Sequence, residues 1–440
     1  MVLNLLGSLL ENSTYPLFHL MTAQNAKAFL DLPPEIRDLI AQELNPASLR
    51  SLSLASRALR GTGQRAIFKS LVFKLLFHGV QQANKNDTPS FLLRLRTVLN
   101  ENPSLVPYIQ DIRFFQIDYN TTQTLTIKPT LHSSWMIDHG LLLADTLDIL
   151  TDSPIHTVYL VNSPESVQLD WLKLHSRVQG ALLGIFGKST LRSVNFVGLS
   201  IPRTLLFHCG NLDHFQCKRL EWSKSDPLPP ATRPAHCPSS LRITISPTQK
   251  HADLHSLGPQ TGINLQDVEF LHIQLYPASW TVPPFLSLPK LKGVFICVTF
   301  PNPPDPHSLN LLQLNNLRRV SFSVRLSLVR PEAFSWISDV LSLLPGVHPH
   351  LYSLTIGIDM PYVPSNTSIE SVQVISQPLA RLHQESRSLR NISFQMKVPI
   401  EIMKVESDIV VLRDFVRGHI TWEGCEDIFS CEIVTRELVL

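Results

Sequence analysis

The sequence predicts an α/β protein: a small three-helix module near the amino terminus, followed by an irregular solenoid whose repeated strands stack into a parallel sheet. Three observations carry this. Residues 29–73 place Leu and Ile at helical spacing between prolines and capping residues. From residue 109 onward an apolar-x-x-apolar-x-apolar string recurs. The 440-residue chain is also 44% apolar and only 17% charged, so it can bury a large core. Its 33 prolines punctuate the chain rather than disorder it. With 38 Lys+Arg against 36 Asp+Glu, the net charge of +2 supplies no strong field, which argues against nucleic acid or an anionic membrane as partner.

Residues 1–28 form an amino-terminal extension. Its start, MVLNLLGSLL, is apolar, but no Lys or Arg precedes that stretch and Glu11 follows soon after. A secretory signal needs a basic n-region, and a spanning helix needs about 20 apolar residues. Six cysteines, none before Cys209, make no disulfide framework. These features predict a soluble intracellular protein, cytoplasmic or nuclear, with no membrane partner.

The module occupies residues 29–75. Asp31 can cap a first helix, and Pro33 and Pro34 suit its first turn, where backbone N–H groups lack partners anyway. Glu35 complements the helix N-terminus. Ile36, Leu39, Ile40 and Leu44 follow at offsets of three, four and eight, making one apolar stripe. Asn45-Pro46 stops that helix and starts a second, which carries Leu49, Leu52 and Leu54. A third runs from about Arg57 to Ser70 on Leu59, Ala66, Ile67 and Phe68. So small a core tends to need a partner over its remaining apolar face.

The ordered set Leu32-Pro33-Pro34-Glu35-Ile36, Leu39-Ile40, Leu44, Leu49, Leu52, Leu54-Ala55-Ser56-Arg57 and Ile67-Phe68 resembles an F-box. It covers about a tenth of the chain. It departs from many F-boxes in having Ala58-Leu59-Arg60 where a Trp often follows the Ser-Arg pair. The resemblance implies docking onto the Skp-family adaptor of a cullin–RING ubiquitin ligase, and through it onto a cullin. The matching residues are Leu32, Pro33, Ile36, Ile40, Leu44, Leu49 and Leu52, acting by helix-in-groove recognition.

Residues 76–90 are expected to be a linker, polar from Gly79 to Ser90, and 91–440 the solenoid, opening with a short helix at Phe91–Leu99. The recurring strings are Ile109/Ile112/Phe114, Ile155/Val158/Leu160, Leu191/Val194/Phe196, Leu212/Phe215/Cys217, Leu265/Val268/Phe270, Leu291/Val294/Ile296, Leu317/Val320/Phe322, Leu351/Leu354/Ile356 and Leu389/Ile392/Phe394, with an irregular copy at Leu241/Ile243/Ile245. Counting that copy from Pro238, the central starts lie 26, 27, 26 and 26 residues apart, inside the window of leucine-rich repeats. Helices are expected at Leu141–Leu150, Val167–Phe186, Glu332–Leu344 and Ile369–Leu382, the last bent by Pro378. Pro-rich connectors such as Asp226–Ser239 replace helices in the middle. Units of this kind must stack to bury their faces, and the arrangement resembles the leucine-rich-repeat class of F-box proteins.

Residues between the inward pairs then line the exposed face of the sheet. From that face Arg113, Phe115, Tyr159, Asn195, Glu269, Phe295 and Arg319 are the candidates for holding a target protein, since mixed polar and aromatic surfaces suit proteins better than phosphate backbones.

No catalytic constellation emerges. Gly180 to Ser189 looks like a phosphate loop, but Leu182 stands where the first Walker glycine belongs and the stretch is helical in pattern. His208, Cys209, His214, Cys217, His236 and Cys237 lack the paired spacing of a zinc site. No G-x-S-x-G elbow is present. The sequence therefore points to a non-enzymatic substrate receptor of a ubiquitin ligase with no cofactor or metal. An interaction scaffold outside any ligase is the alternative; an enzyme on an α/β frame is a third reading.

Overall fold

A computed structural model describes residues 29–55, 57–77, 87–118, 135–162, 169–209, 212–223, 238–245, 263–275, 288–299, 316–325, 332–344, 348–359, 371–399, 406–420 and 425–436, with a few single positions and a short 3-10 turn at Pro306–Leu309. Residues 1–28, most of the expected linker and most of the Pro-rich connector 226–239 lie outside the described residues. The protein is α/β, with 13 strands in an open parallel sheet whose hydrogen-bonded order follows the chain; the short β4 (Leu169–Asp170) sits beside the path, against β5 (Ser193–Ile201). Two compact units divide the chain within β5, residues 1–195 and 196–440.

The first unit opens with three helices, α1 (Pro34–Gln42), α2 (Pro46–Ala55) and α3 (Arg57–Phe68). Pro33, not Asp31, is the N-cap residue of α1, and its carbonyl accepts the Ile36 and Arg37 N–H groups. Asn45 Oδ1 accepts the Ser48 N–H at 2.8 Å and so caps α2. Phe29, Ile40, Ala41, Leu49, Leu52 and Leu59 form the core of the module, with Leu30, Leu32, Leu44, Ala66 and Ile67 packed around it. α2 and α3 approach closely at Gly63, where an added Cβ would lie 2.9 Å from Ser53 Cβ. Arg65 of α3 clamps Asp38 of α1 by two hydrogen bonds of 2.9 Å, and this bonding raises the guanidinium pKa.

α3 runs almost directly into β1 (Ser70–Phe77), which pairs in parallel with β2 (Asp111–Asp118). The expected module boundary at 75 therefore falls inside a strand. In SLVFKLLF, Leu71 and Phe73 are buried while Val72 is exposed, and the Phe73 ring stacks on Phe114 at 4.9 Å. The helices α4 (Asp87–Glu101), α5 (Trp135–Asp138), α6 (Gly140–Ile149) and α7 (Ser176–Phe186) lie between β1, β2, β3 (Thr157–Asn162), β4 and β5 in chain order. Ion pairs of Arg96 with Asp145 and of Arg177 with Asp145 and Asp148 tie α4, α6 and α7 together. α7 is shorter than expected because Trp171–Lys173 forms a separate 3-10 turn.

The second unit continues with β6 (His214–Trp222), β7 (Ser240–Ile245), β8 (Phe270–Leu275), β9 (Gly293–Thr299) and β10 (Arg319–Arg325). α8 (Glu332–Ser342), β11 (Ser353–Asp359), α9 (Ser376–Glu385), β12 (Asn391–Pro399), α10 (Glu406–His419) and β13 (Phe429–Arg436) complete it. Pro378 does not bend a long helix. It sits in the first turn of α9, where its missing N–H costs nothing, behind a 3-10 turn at Ser371–Ile375.

The stack is held by a repeated junction. The carbonyl of Lys69 accepts the N–H groups of both Gln110 and Asp111, that of Glu269 those of Lys292 and Gly293, that of Lys292 those of Arg318 and Arg319, and that of Arg318 those of Tyr352 and Ser353. Along the ladder, positions align rung by rung: Cys217, Ile243, Ile273, Ile296, Phe322, Ile356, Phe394 and Cys431 are successive partners. Phe322 meets Trp336 of α8 edge to face at 6.4 Å.

One expected string is displaced. Phe270 is 40% exposed and Leu265 only half-buried, whereas Val268, Leu271 and Ile273 are buried. The Val268 N–H bonds to the Leu265 carbonyl as the Leu291 N–H bonds to Leu288, so Val268 is the first inward residue and the frame moves by three. Asp267 lies in a turn and Glu269 just before the strand.

Candidate functional site

Two kinds of surface bear on function: the exposed side of the three helices and the outward face of the sheet. In the helical module, the fold places the seven adaptor candidates in different environments. Ile40, Leu49 and Leu52 are buried in the module's own core, and Leu32 and Leu44 pack against it. Pro33 and Ile36 are exposed, Ile36 at 36%. Leu39 and Leu54, which belong to the same ordered set, are more exposed still, at 58% and 79%. Ile36 and Leu39 are one turn apart on α1 and so neighbours on its surface.

On the outward face of the first unit, Arg113 and Tyr159 are cross-strand partners, and the guanidinium lies 4.7 Å from the ring centroid, within cation–π range. Phe115 stands two residues along on β2 and is half-buried. Asn195 is half-buried on β5.

In the second unit Phe295 lies opposite His272, ring centroids 4.0 Å apart. Burial and then the neighbouring Arg242 push the His272 pKa down to about 4. Arg319 is exposed at the start of β10. Glu269 does not stand in the outward row of a strand; its carboxylate pairs with Lys292 at 2.5 Å.

A scan against protein-family models finds no match, and neither does a search of curated proteins. The surfaces themselves therefore carry the functional reading.

Several outward residues were not anticipated. Phe270 and His272 were hidden by the frame error in β8. Arg242 lies in the irregular copy, between Leu241 and Ile243. Lys218, Cys297 and Arg325 lie beyond the six-residue strings, because the strands run on for seven to nine residues and keep alternating. The signal available was the continued alternation in Val294-Phe-Ile-Cys-Val298 and Val320-Ser-Phe-Ser-Val324.

The glycines at 180 and 184 lie inside α7, where backbone N–H groups serve the helix, and Lys188 bonds to the Thr151 carbonyl. Cys209 and Cys217 are buried, and burial pushes the Cys217 thiol up to about 12. His236 and Cys237 lie outside the described residues.

Proposed function

We propose that this chain is the substrate-recognition subunit of a cullin–RING ubiquitin ligase of the SCF type. The three-helix module acts as an F-box that docks onto a Skp-family adaptor, and the strand stack, read as a degenerate leucine-rich repeat, holds the target. The observation that carries this reading is that α1 and α2 still expose Ile36, Leu39 and Leu54 after their other apolar residues have been used in the core. Exposed apolar side chains grouped on one small module mark a docking surface. The adaptor contact would centre on Pro33, Ile36, Leu39 and Leu54, with Ile40, Leu49 and Leu52 supporting it from beneath. The chain's own contribution is proximity, holding a target near the transfer site of other subunits. The compartment consistent with this role is the cytoplasm or nucleus.

The test is co-expression of the full chain with a Skp-family adaptor, followed by affinity capture. Wild type should retain the adaptor. Ile36→Asp with Leu39→Asp should lose it while keeping the wild-type thermal transition. A wild-type chain that captures no adaptor, or a double variant that captures it equally well, overturns the reading.

A second reading has its own support. α3 leads into β1 through Lys69, whose carbonyl accepts two N–H groups from the next rung, and Arg65 lies 6.0 Å from the Tyr108 ring. The module could thus be an end cap of the stack in a scaffold outside any ligase, since terminal units need such caps. In that case the double variant changes solubility but no partner.

A further inference from the structure

We propose that the rim of the sheet where β10, β11 and β12 begin is a docking surface for an extended acidic segment of a partner protein, whose carboxylates pair with Arg318 and Arg390 on either side of Tyr352. This goes beyond the ligase reading and does not depend on it.

Backbone bonding groups these residues. The Arg318 carbonyl accepts the Tyr352 N–H at 2.8 Å, and the Tyr352 carbonyl accepts the Arg390 N–H at 2.9 Å. The three therefore stand on successive rungs, each just before a strand start, and those starts, Arg319, Ser353 and Asn391, are themselves partners. Rungs are about 4.8 Å apart, so the two arginines lie roughly 10 Å apart along the rim with the tyrosine between them. Arg319 follows Arg318 directly, and Arg387 lies in the turn that leads into β12. All four arginines are exposed, and Tyr352 is 53% exposed.

None of the four guanidinium groups has a hydrogen bond or an ion pair among the described residues. The carboxylates nearby are engaged elsewhere or stand on the flank. Asp267 pairs with Lys290 and Glu269 with Lys292 ahead of β8 and β9, and Glu385 pairs with Arg381 at 2.7 Å. Glu426 and Asp427 are exposed in the turn before β13, beyond Arg390, and neither pairs with it. Residues 312–315 and 345–347, which lead toward β10 and β11 and lie outside the described residues, hold no Asp or Glu. Residues 386–390, which lead into β12, hold none either.

Residue type and spacing select the occupant. Lys290 and Lys292 are used within the chain, whereas the four unpaired cations are all arginines. A guanidinium fork matches a carboxylate with two parallel bonds and also stacks on rings. Tyr352, exposed between two of them, is the kind of aromatic on which binding energy concentrates. In an extended chain, residues i and i+3 are about 10 Å apart, so a Glu-x-x-Glu segment spans the two arginines and lays an apolar side chain over the tyrosine. A single phosphate needs cations that converge on one point, and here the tyrosine holds them apart. A nucleic acid carries its charge onward past the site, where Glu426 and Asp427 would repel it.

The experiment is fluorescence anisotropy with the purified full chain and a labelled peptide containing Glu-Leu-Ser-Glu. Its arms are the same peptide with Gln for Glu, a phosphoserine peptide in a neutral background, and a single-stranded RNA. The Glu peptide should bind, and binding should weaken as salt rises from about 50 to 200 mM. Arg318→Glu and Arg390→Glu should each weaken it by roughly tenfold or more, and Tyr352→Ala by several-fold. Because these side chains are exposed, the melting temperature should stay at the wild-type value in all three variants. Equal binding of the Gln peptide, charge reversals without effect, or tighter binding of the phosphopeptide or RNA overturns the proposal. The adaptor takes no part in these measurements, so failure here and failure of the ligase reading are seen separately.

Discussion

The ring of Phe270 occupies the space that a side chain at Gly293 would need: a Cβ added there would lie 2.7 Å from Phe270 Cδ1. The two residues open β8 and β9 and are direct partners across the ladder. Glycine at this rung lets an outward aromatic lean over the neighbouring strand toward Arg319, whose Cβ is 3.7 Å from the same point.

Gly293→Ala should therefore displace the Phe270 ring and destabilise the protein by about 1 kcal/mol. In a Phe270→Ala background the same change should be neutral or stabilising, since alanine is better than glycine in a strand interior. Urea unfolding of the four proteins of this cycle should show a coupling above about 0.5 kcal/mol. Additive effects would mean that the ring does not depend on the glycine.

His272 should make the second unit sensitive to acid. Its folded pKa, about 4, lies below its ordinary value of 6.5, so the unfolded chain takes up the proton first as pH falls. The stabilisation is complete above 6.5 and is lost progressively as pH drops toward 4. Comparing chemical unfolding at neutral pH and midway through that window, His272→Gln should lose less stability than wild type. An identical loss in both would remove His272 as a contributor.

The inward rows should be far less tolerant than the outward ones. Ile356 is buried between Phe322 and Phe394, so Ile356→Ala should cost about 2–5 kcal/mol. Thr355, its outward neighbour, should change stability by no more than about 0.5 kcal/mol on replacement by alanine. Similar costs for both would contradict the assigned faces.

The cap of α2 gives a local test in the helical module. Asn45→Ala removes the acceptor of the Ser48 N–H and should cost about 1 kcal/mol, whereas Asn45→Asp should keep most of the stability. Thermal melts of the two variants decide it.

The helices of the module were legible because their signals are local. Asn45-Pro46 marks a boundary by backbone chemistry alone, and Leu49 and Leu52 share a face whatever surrounds them. The same was true of strings such as Leu351/Leu354/Ile356, whose alternation needs a buried side wherever the strand lies. The β8 region was ambiguous because Leu265/Val268/Phe270 and Val268/Leu271/Ile273 have identical spacing. Only pairing with β9, which puts Leu271 opposite Val294, selects the second. β1 was absorbed into the helical module for a related reason: nothing in SLVFKLLF reveals that β2 lies beside it. The His272–Phe295 pair could not be matched either, since it depends on the register between β8 and β9.

By itself the order of residues determined that this chain alternates buried and exposed positions with two periods, helical near its start and strand-like beyond, because those periods follow from backbone geometry within a few residues. The tertiary structure decided which of two equivalent frames is buried, which leucines of the small module remain on its surface, and which outward side chains, such as His272 and Phe295, come together. The frame and the outward neighbours depend on strand register and the exposed leucines on how the three helices pack, and both are set by contacts between segments that the local sequence does not specify.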